Sequence, residues 1–107
     1  MTVAYTLGDQ TFATKKAVLA HASEVLNRIS LGEVLHGQVE RFALDLLTHH
    51  PEAEQKHGAG IAGVAVVLMP EWGTRNFFVF RVDASIDNWS VKKCVANMRP
   101  DTARRHP

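Results

Sequence analysis

Apolar residues recur at helical spacing in two segments of the first half of the chain. The first segment follows Thr14, whose hydroxyl suits a helix N-cap, and predicts a helix that ends near Arg28 or Ile29. The second predicts a helix from about Gln38 to His49, which Pro51 ends because proline disfavours helical geometry in the residue before it. Each helix has one apolar stripe, so both are expected to cover a common surface. The apolar positions are Val18, Ala22, Val25, Leu26 and Ile29 in the first stripe and Val39, Phe42, Ala43, Leu46 and Leu47 in the second.

Extended patterns dominate the second half of the chain. Residues 61–69 are almost continuously apolar and rich in valine, which predicts a buried central strand. Residues 70–74 have the composition of a turn, and residues 76–83 alternate between two faces as a strand does. A third extended segment is predicted from Trp89 to Val95, and a short hairpin over residues 3–12.

This order of elements predicts an α+β domain, in which two helices pack on one face of a small, mainly antiparallel sheet of three to five strands. Strands joined by short turns cannot be parallel, because a parallel crossover needs about a dozen residues. At 107 residues the chain is long enough for one core and too short for two. We predict a single domain over residues 1–98 and a flexible basic tail over residues 99–107.

Charge differs between the two ends of the chain, although the net charge is only +1. Residues 1–74 hold five Lys and Arg against eight Asp and Glu, whereas residues 75–107 hold seven against three. A basic C-terminal third indicates either a phosphate-bearing partner or a solvated, solubilising surface. No stretch approaches the roughly 18 to 20 apolar residues of a membrane-spanning helix, so no membrane partner is expected. The single cysteine cannot form an internal disulfide, which favours a cytoplasmic location.

Five short motifs resemble, in order and spacing, those of a known domain family. The family is named for the plant plastid protein of defective chloroplasts and leaves, and related copies occur at the C-termini of the largest subunits of plant silencing RNA polymerases and in small bacterial and phage proteins. The match extends over roughly residues 5–95. The motifs are Thr11-Phe12 with Lys15-Lys16, Leu46-Leu47 before His50-Pro51, Lys56-x-Gly58-x-Gly60-Ile61, Phe80-Arg81-x-Asp83 and Ser90-x-x-Lys93-Cys94.

The resemblance implies RNA-related work, since the plastid member is tied to ribosomal RNA maturation and the polymerase-linked copies to transcription. The chain departs from the family pattern at two positions. Ala84 stands where the family usually has glycine, and Val91 stands where it has tyrosine. A role for that tyrosine hydroxyl is therefore not carried over, whereas Trp89 keeps an aromatic ring in the same motif.

We predict a non-catalytic module that binds RNA or an RNA-containing complex through the uncovered sheet face and the basic C-terminal third. In this hypothesis Trp89 provides a stacking surface for bases. The alternative is structural: Arg81 pairs with Asp83 on one strand face, and the tryptophan closes the edge of the core. Strand alternation would also send neighbouring lysines to opposite faces. The predicted phosphate-binding residues are Arg75, Arg81, Lys92, Lys93, Arg99, Arg104 and Arg105.

The loop that contains Lys56, Gly58 and Gly60 is a candidate anion-binding loop, because successive backbone amides can surround an anion. It lacks the Gly-Lys-Ser/Thr ending of a nucleotide-binding P-loop. Alternatively, its small residues simply let the chain enter a buried strand. The six histidines lack a zinc-type pattern of partners, so neither a metal nor a cofactor is predicted.

Cys94 allows two readings. It is either a thiolate favoured by the neighbouring lysines, with His49 or His50 as its base, or a small apolar side chain in the core. The chain has no hydrolase elbow and no cofactor fingerprint, so we predict that it is not an enzyme. Two alternatives to RNA binding remain: a protein-interaction module that docks on RNA polymerase or another partner, and a cysteine-dependent enzyme.

Overall fold

The computed structural model describes residues 4–101, which form five strands and four helices. The strands make a two-stranded sheet, β1–β2, and a three-stranded sheet in the order β3-β4-β5, and all pairs are antiparallel. The α+β class is therefore confirmed. In chain order the elements are β1 Tyr5–Leu7, β2 Gln10–Phe12, α1 Lys15–Arg28, α2 Gly37–Thr48, α3 Ala53–His57, β3 Ile61–Met69, β4 Thr74–Arg81, β5 Ile86–Asn88 and α4 Val91–Asn97.

The helices cover one face of the three-stranded sheet, as the two apolar stripes predicted. Val64 pairs with Val79 and Val66 with Phe77, so these four side chains share a face, and all are fully buried. Helix α1 packs against β4 and α2 against β3. The buried residues of both stripes, with Phe42 at the centre of α2, form one continuous core with that sheet face.

The opposite face of the sheet is open, and we call it the open sheet face. Most of its side chains are apolar, and these are half-buried or exposed: Val67, Met69, Phe78, Phe80 and Ile86. Asn76 and Asn88 lie on the same face. Phe80 lies on Gly63, where a β-carbon would approach the Cζ atom of the ring to 2.2 Å. Glycine at this position therefore lets an aromatic ring lie flat on the sheet.

Strand β3 is buried but not central, so the predicted position is wrong. Strand β4 lies between β3 and β5. The outer edge of β3 is bonded instead to the connection between α1 and α2, where Gly32 N–H donates to the carbonyl of Val66 at 2.9 Å and Leu35 N–H donates to that of Val64 at 2.8 Å. These bonds satisfy the strand edge, which explains why the sequence of β3 resembles that of an interior strand.

The prediction of a third extended segment over residues 89–95 is also wrong. The last strand is β5, and the chain then forms the short helix α4. Ser90 is the N-cap, because its Oγ atom accepts from Lys93 N–H at 3.3 Å. Cys94, Val95 and Met98 fall at helical spacing and are buried. As a result Lys92 and Lys93 are neighbours on a helix rather than residues on opposite faces of a strand.

Both ends of the described chain pack against the domain. The predicted hairpin is confirmed as β1–β2 and packs mainly on α1 and α2, where Phe12, His21 and Phe42 bring their rings within 4.7 to 5.9 Å of one another. Asp101 N–H donates to the carbonyl of Ala4 at 2.8 Å, so these contacts continue past residue 98. The boundary of the basic tail stays a prediction, and its Arg104 and Arg105 lie outside the described residues. No helix within residues 4–101 is long and apolar enough to cross a membrane.

Candidate functional site

Two of the sequence motifs meet at Asp87, a residue of β5 that lies between the predicted extended segments 76–83 and 89–95. The Oδ2 atom of Asp87 accepts from Lys56 Nζ at 3.1 Å and from Arg81 Nη2 at 3.3 Å. Lys56 also donates to the carbonyl of Asn88 at 2.9 Å, and Arg81 Nε–H donates to the carbonyl of Lys56 at 2.9 Å. We call Lys56, Arg81 and Asp87 the Asp87 cluster. It ties the end of α3 to strands β4 and β5.

The candidate anion loop holds a cationic side chain rather than open amides. A β-carbon on Gly58 would lie 2.8 Å from the Cδ atom of Arg81, so the guanidinium stem packs directly on this glycine. Gly58 N–H donates to the carbonyl of Glu54 at 3.0 Å and Gly60 N–H to that of His57 at 3.1 Å. The Arg81 side chain is only 10% exposed. These contacts leave neither Arg81 nor the loop amides arranged for a phosphate group.

The turn after β4 explains why the family usually has glycine at the position of Ala84. Ala84 has φ 72°, the left-handed region that glycine adopts more easily than alanine. Asp83 accepts from both the Oγ atom of Ser85, at 2.6 Å, and the Ser85 N–H, at 3.0 Å. These hydrogen bonds lower the pKa of Asp83. The carboxylate therefore stabilises its own turn, and the ion-pair partner of Arg81 is Asp87 rather than Asp83.

Cys94, on the buried side of α4, and His50, which follows α2, are both buried. Burial raises the pKa of Cys94 to about 12, so the thiolate is scarce near neutral pH and the side chain packs as an apolar residue. His50 Nδ1 accepts from Glu52 N–H at 2.9 Å. Burial, followed by the charge of Lys56, lowers the pKa of His50, which favours the neutral imidazole. Within residues 4–101, no three His, Cys, Asp or Glu side chains lie together as a metal site would require.

Trp89 does not offer the stacking surface that we predicted. Its side chain is 2% exposed and stacks on Phe77 with ring centroids 5.4 Å apart. The indole Nε1 atom is buried without a hydrogen-bond partner in the described part of the chain. The structural alternative for this tryptophan, closure of the core, is the one observed. Trp72, in the turn between β3 and β4, is 69% exposed.

Two of the predicted phosphate-binding residues, Arg75 and Lys92, line one groove of about 700 Å³ between α1, the start of β4 and the start of α4. Its apolar floor is formed by Leu19, Leu26 and Val91, and no carboxylate lines it. We call it the basic groove. Ser23 and Asn27 add a hydroxyl and an amide group to its walls. The groove therefore combines positive charge, neutral polar groups and an apolar surface.

Arg75 is anchored by the C-terminal end of α1. Its Nε–H donates to the carbonyl of Leu26 at 2.5 Å, and its Nη2 donates to the carbonyl of Ile29. The guanidinium thus caps carbonyl groups that the helix leaves unpaired. Lys92, in contrast, is exposed and has neither a hydrogen-bond nor an ion-pair partner for its side chain among residues 4–101. Lys92 is the groove's available cation, and Arg75 fixes one of its walls.

Two more of the predicted cations lie on or just after α4. Lys93 and Arg99 are exposed, and Lys15 Nζ donates to the carbonyl of Ala96 at 3.1 Å, which brings the start of α1 against α4. No acidic residue occurs between Asp87 and Asp101. Lys92 and Lys93 belong to α4 in the helical layer, so phosphate contacts made by them would lie apart from the open sheet face. Ser23 and Asn27 were not singled out from the sequence, because nothing local marks them.

Fold and site together define a small α+β domain with a helical layer on one side of its sheet, a basic groove in that layer and an apolar face on the other side. The chain belongs to the family described as protein of unknown function DUF3223, whose model matches residues 23–95.

The chain is also similar to two individual proteins. It is 32% identical to the protein EMBRYO DEFECTIVE 514 of Arabidopsis thaliana over 95 residues, which cover 88% of this chain. It spans about half of that relative, 47% of its length. An NMR solution structure of an uncharacterized protein from Rhodospirillum rubrum superposes with a TM-score of 0.78 at 27% identity, and the match covers 100% of this chain and 98% of that one.

Proposed function

We propose that this chain is a non-catalytic module that binds single-stranded RNA, alone or within an RNA-containing complex, through the basic groove. The observation that carries the proposal is the lining of that groove, in which Lys92 is free, Arg75 is fixed and no carboxylate opposes them. Positive charge without opposing carboxylates favours phosphate binding, because phosphates exchange their condensed counterions for the protein's cations.

The neutral groups of the groove suit the rest of a nucleotide. Asn27 has an amide that both donates and accepts, as the edge of an unpaired base requires. Leu26 and Val91 provide apolar surface for a base or a sugar. The volume of about 700 Å³ lies within the range of small-ligand sites. Lys93 and Arg99 extend the positive surface along α4 and give a strand more than one phosphate contact.

The resemblance to the defective chloroplasts and leaves family supports the same proposal, since members of that family are tied to ribosomal RNA maturation and to transcription. The buried Cys94, whose pKa burial raises to about 12, supports a binding role rather than thiol chemistry.

The proposal is tested by fluorescence anisotropy with labelled single-stranded RNA, single-stranded DNA and duplex RNA at two salt concentrations. We expect single-stranded RNA to bind and its affinity to fall as salt rises. Lys92→Gln should weaken binding by about three- to tenfold at low salt. Arg41→Gln is the matched control, because Arg41 lies on α2 and pairs with Asp9 at 2.6 Å. Absence of binding at low salt, or equal losses in the two variants, would contradict the proposal.

The apolar open sheet face favours a second candidate function, docking on a partner protein such as RNA polymerase. Ile86 is 67% exposed there, and Phe78 and Phe80 lie beside it with ring centroids 6.4 Å apart. A partner held by this face should stay bound after nuclease treatment and at moderate salt, and Ile86→Asp should release it. If Ile86→Asp leaves such an association intact, the open sheet face is not the docking surface.

A further inference from the structure

A second groove, of about 640 Å³, lies on the other side of the helical layer, between α2, α3 and the start of β3. Its floor is apolar and includes Leu44, Leu47 and Ile61. Glu40 of α2 and Glu54 of α3 each place a carboxylate at its walls, and neither a lysine nor an arginine lines this groove. We call it the acidic groove. It has the size and the apolar surface of a ligand site, with two carboxylates at its walls.

The two carboxylates have no partner within the described part of the chain. Other acidic side chains of this protein do have one: Asp9 pairs with Arg41, Glu24 with Arg28, and Asp87 with two cations. Within residues 4–101, neither Glu40 nor Glu54 has a hydrogen-bond or ion-pair partner for its side chain. A cation from outside the chain that enters the groove would therefore meet a carboxylate without displacing an existing contact.

The walls of the acidic groove are held in place before any ligand arrives. Helix α3 has only five residues, too few to be stable alone, but Lys56 within it is fixed by Asp87 and by the carbonyl of Asn88. Arg81 donates to the carbonyl of Lys56 and closes the same connection. A groove of fixed shape binds with a smaller ordering cost than one that must form on binding.

We propose that the acidic groove binds a short peptide segment of a partner protein in which an arginine or a lysine stands among apolar residues. Apolar side chains of the segment cover Leu44, Leu47 and Ile61, while its cation reaches Glu40 or Glu54. Arginine and lysine suit this arrangement because an apolar stem carries the charged head, so one side chain can contact both floor and wall. The proposal is independent of RNA binding, which uses the opposite side of the helical layer.

The test uses the full chain, labelled with ¹⁵N, and three blocked tetrapeptides as probes. Each contains three leucines, and the fourth residue is arginine, citrulline or glutamate. Citrulline has nearly the shape of arginine and no charge, so it isolates the contribution of the cation. We expect the arginine peptide to shift the amide signals of Leu44, Thr48, His57 and Ala62, and to bind at least about threefold more tightly than the citrulline peptide. The glutamate peptide should be the weakest of the three.

Paired variants locate the effect. The double variant Glu40→Gln with Glu54→Gln should lower the affinity for the arginine peptide to that for the citrulline peptide, while the citrulline peptide itself binds as before. Glu24→Gln, on the exposed side of α1, is the matched control and should change neither affinity. Equal binding of the arginine and citrulline peptides, shifts confined to the open sheet face, or no shifts at millimolar peptide would each overturn the proposal.

Discussion

The basic and acidic grooves differ in charge but not in size or in their place in the fold. Both lie in the helical layer, their volumes are about 700 and 640 Å³, and both have aliphatic floors. One is lined by Arg75 and Lys92 without a carboxylate, and the other by Glu40 and Glu54 without a lysine or arginine. A net charge of +1 therefore conceals two surfaces of opposite sign. The comparison teaches that electrostatic preference is local here and that one small chain can present grooves of opposite charge.

Each groove also depends on its own structural anchor. The basic groove is walled by Arg75, which caps α1, and the acidic groove is walled by α3, which the Asp87 cluster fixes. If this division is correct, a change to one anchor should impair one groove and spare the other. Four predictions follow, from the largest expected effect to the smallest. The first two test this division of anchors, and the last two concern the stability of the whole domain.

Arg75→Met should have the largest effect. It removes two charge-assisted hydrogen bonds to α1 carbonyls, and because Arg75 is partly exposed we expect a loss of about 2 kcal/mol in the free energy of unfolding, measured by urea denaturation. RNA binding should fall, and binding of the arginine peptide should be unchanged. Arg75→Lys keeps the charge but not the planar donor group, so it should lose stability and retain part of the RNA affinity. A stability change below about 0.5 kcal/mol would show that Arg75 is no anchor.

Asp87→Asn should have the next largest effect and should act on the acidic groove. It leaves Lys56 and Arg81 without their common carboxylate, but the Asp87 side chain is 36% exposed, so we expect a loss of only about 1 kcal/mol. Affinity for the arginine peptide should fall because α3 loosens, while RNA affinity should not fall. Asp9→Asn, which breaks an exposed pair with Arg41, is the control and should cost less. Equal losses in both variants would remove the special role of Asp87.

Ala84→Gly should stabilise the domain and leave both grooves unchanged. The left-handed conformation of Ala84 is strained for alanine, and its relief outweighs the greater flexibility of glycine in the unfolded chain. We expect a gain of about 0.5 kcal/mol, seen as a higher urea midpoint at constant slope. Ser85→Gly, next to it, should not stabilise, because it removes the hydroxyl that donates to Asp83 and keeps only the backbone N–H donor. A loss of stability in Ala84→Gly would contradict the strain argument.

Acidification should destabilise the domain through His50, with the smallest effect of the four. The pKa of His50 is lowered in the folded state from an ordinary value of 6.5, so the unfolded chain takes up a proton first as the pH falls. The contribution of neutral His50 to the free energy of unfolding is therefore fully present above pH 6.5. It is lost as the pH falls from 6.5 to the pKa of His50 in the folded state. Thermal unfolding between pH 8 and about pH 5 should show this loss, and His50→Asn, which keeps an acceptor for Glu52 N–H, should show less of it. Parallel curves would exclude His50 as the cause.

Much of the fold was predictable because a long periodic pattern of apolar residues indicates the type of element. The apolar stripes of α1 and α2 and the alternation of β4 each extend over several repeats of their period. Helix α4 was missed because its seven residues are too few for a clear period, although Ser90 with Val91, Cys94 and Val95 is a valid cap and stripe. Strand β3 was taken as central because its edge is satisfied by residues 32–35, a contact that no local pattern records.

The candidate site was far less predictable than the fold. The sequence indicates Arg75 and Lys92 by their charge, but the groove that they share depends on how α1, β4 and α4 pack. Arg81, predicted to bind phosphate, belongs instead to the Asp87 cluster. Asp87 looked like a linker residue because its partners lie 31 and 6 positions away. The acidic groove had no sequence signal, since Glu40 and Glu54 come to line one groove only when α2, α3 and the start of β3 pack together.

The most direct test of the account is an amide chemical-shift map of the ¹⁵N-labelled chain titrated with a short single-stranded RNA. We predict that the signals of Ser23, Asn27 and Lys92 move together with a single affinity, while those of Glu40, Glu54 and Ala62 stay in place. Shifts that concentrate in the acidic groove or on the open sheet face, or a spectrum that RNA leaves unchanged at low salt, would contradict the assignment of RNA to the basic groove.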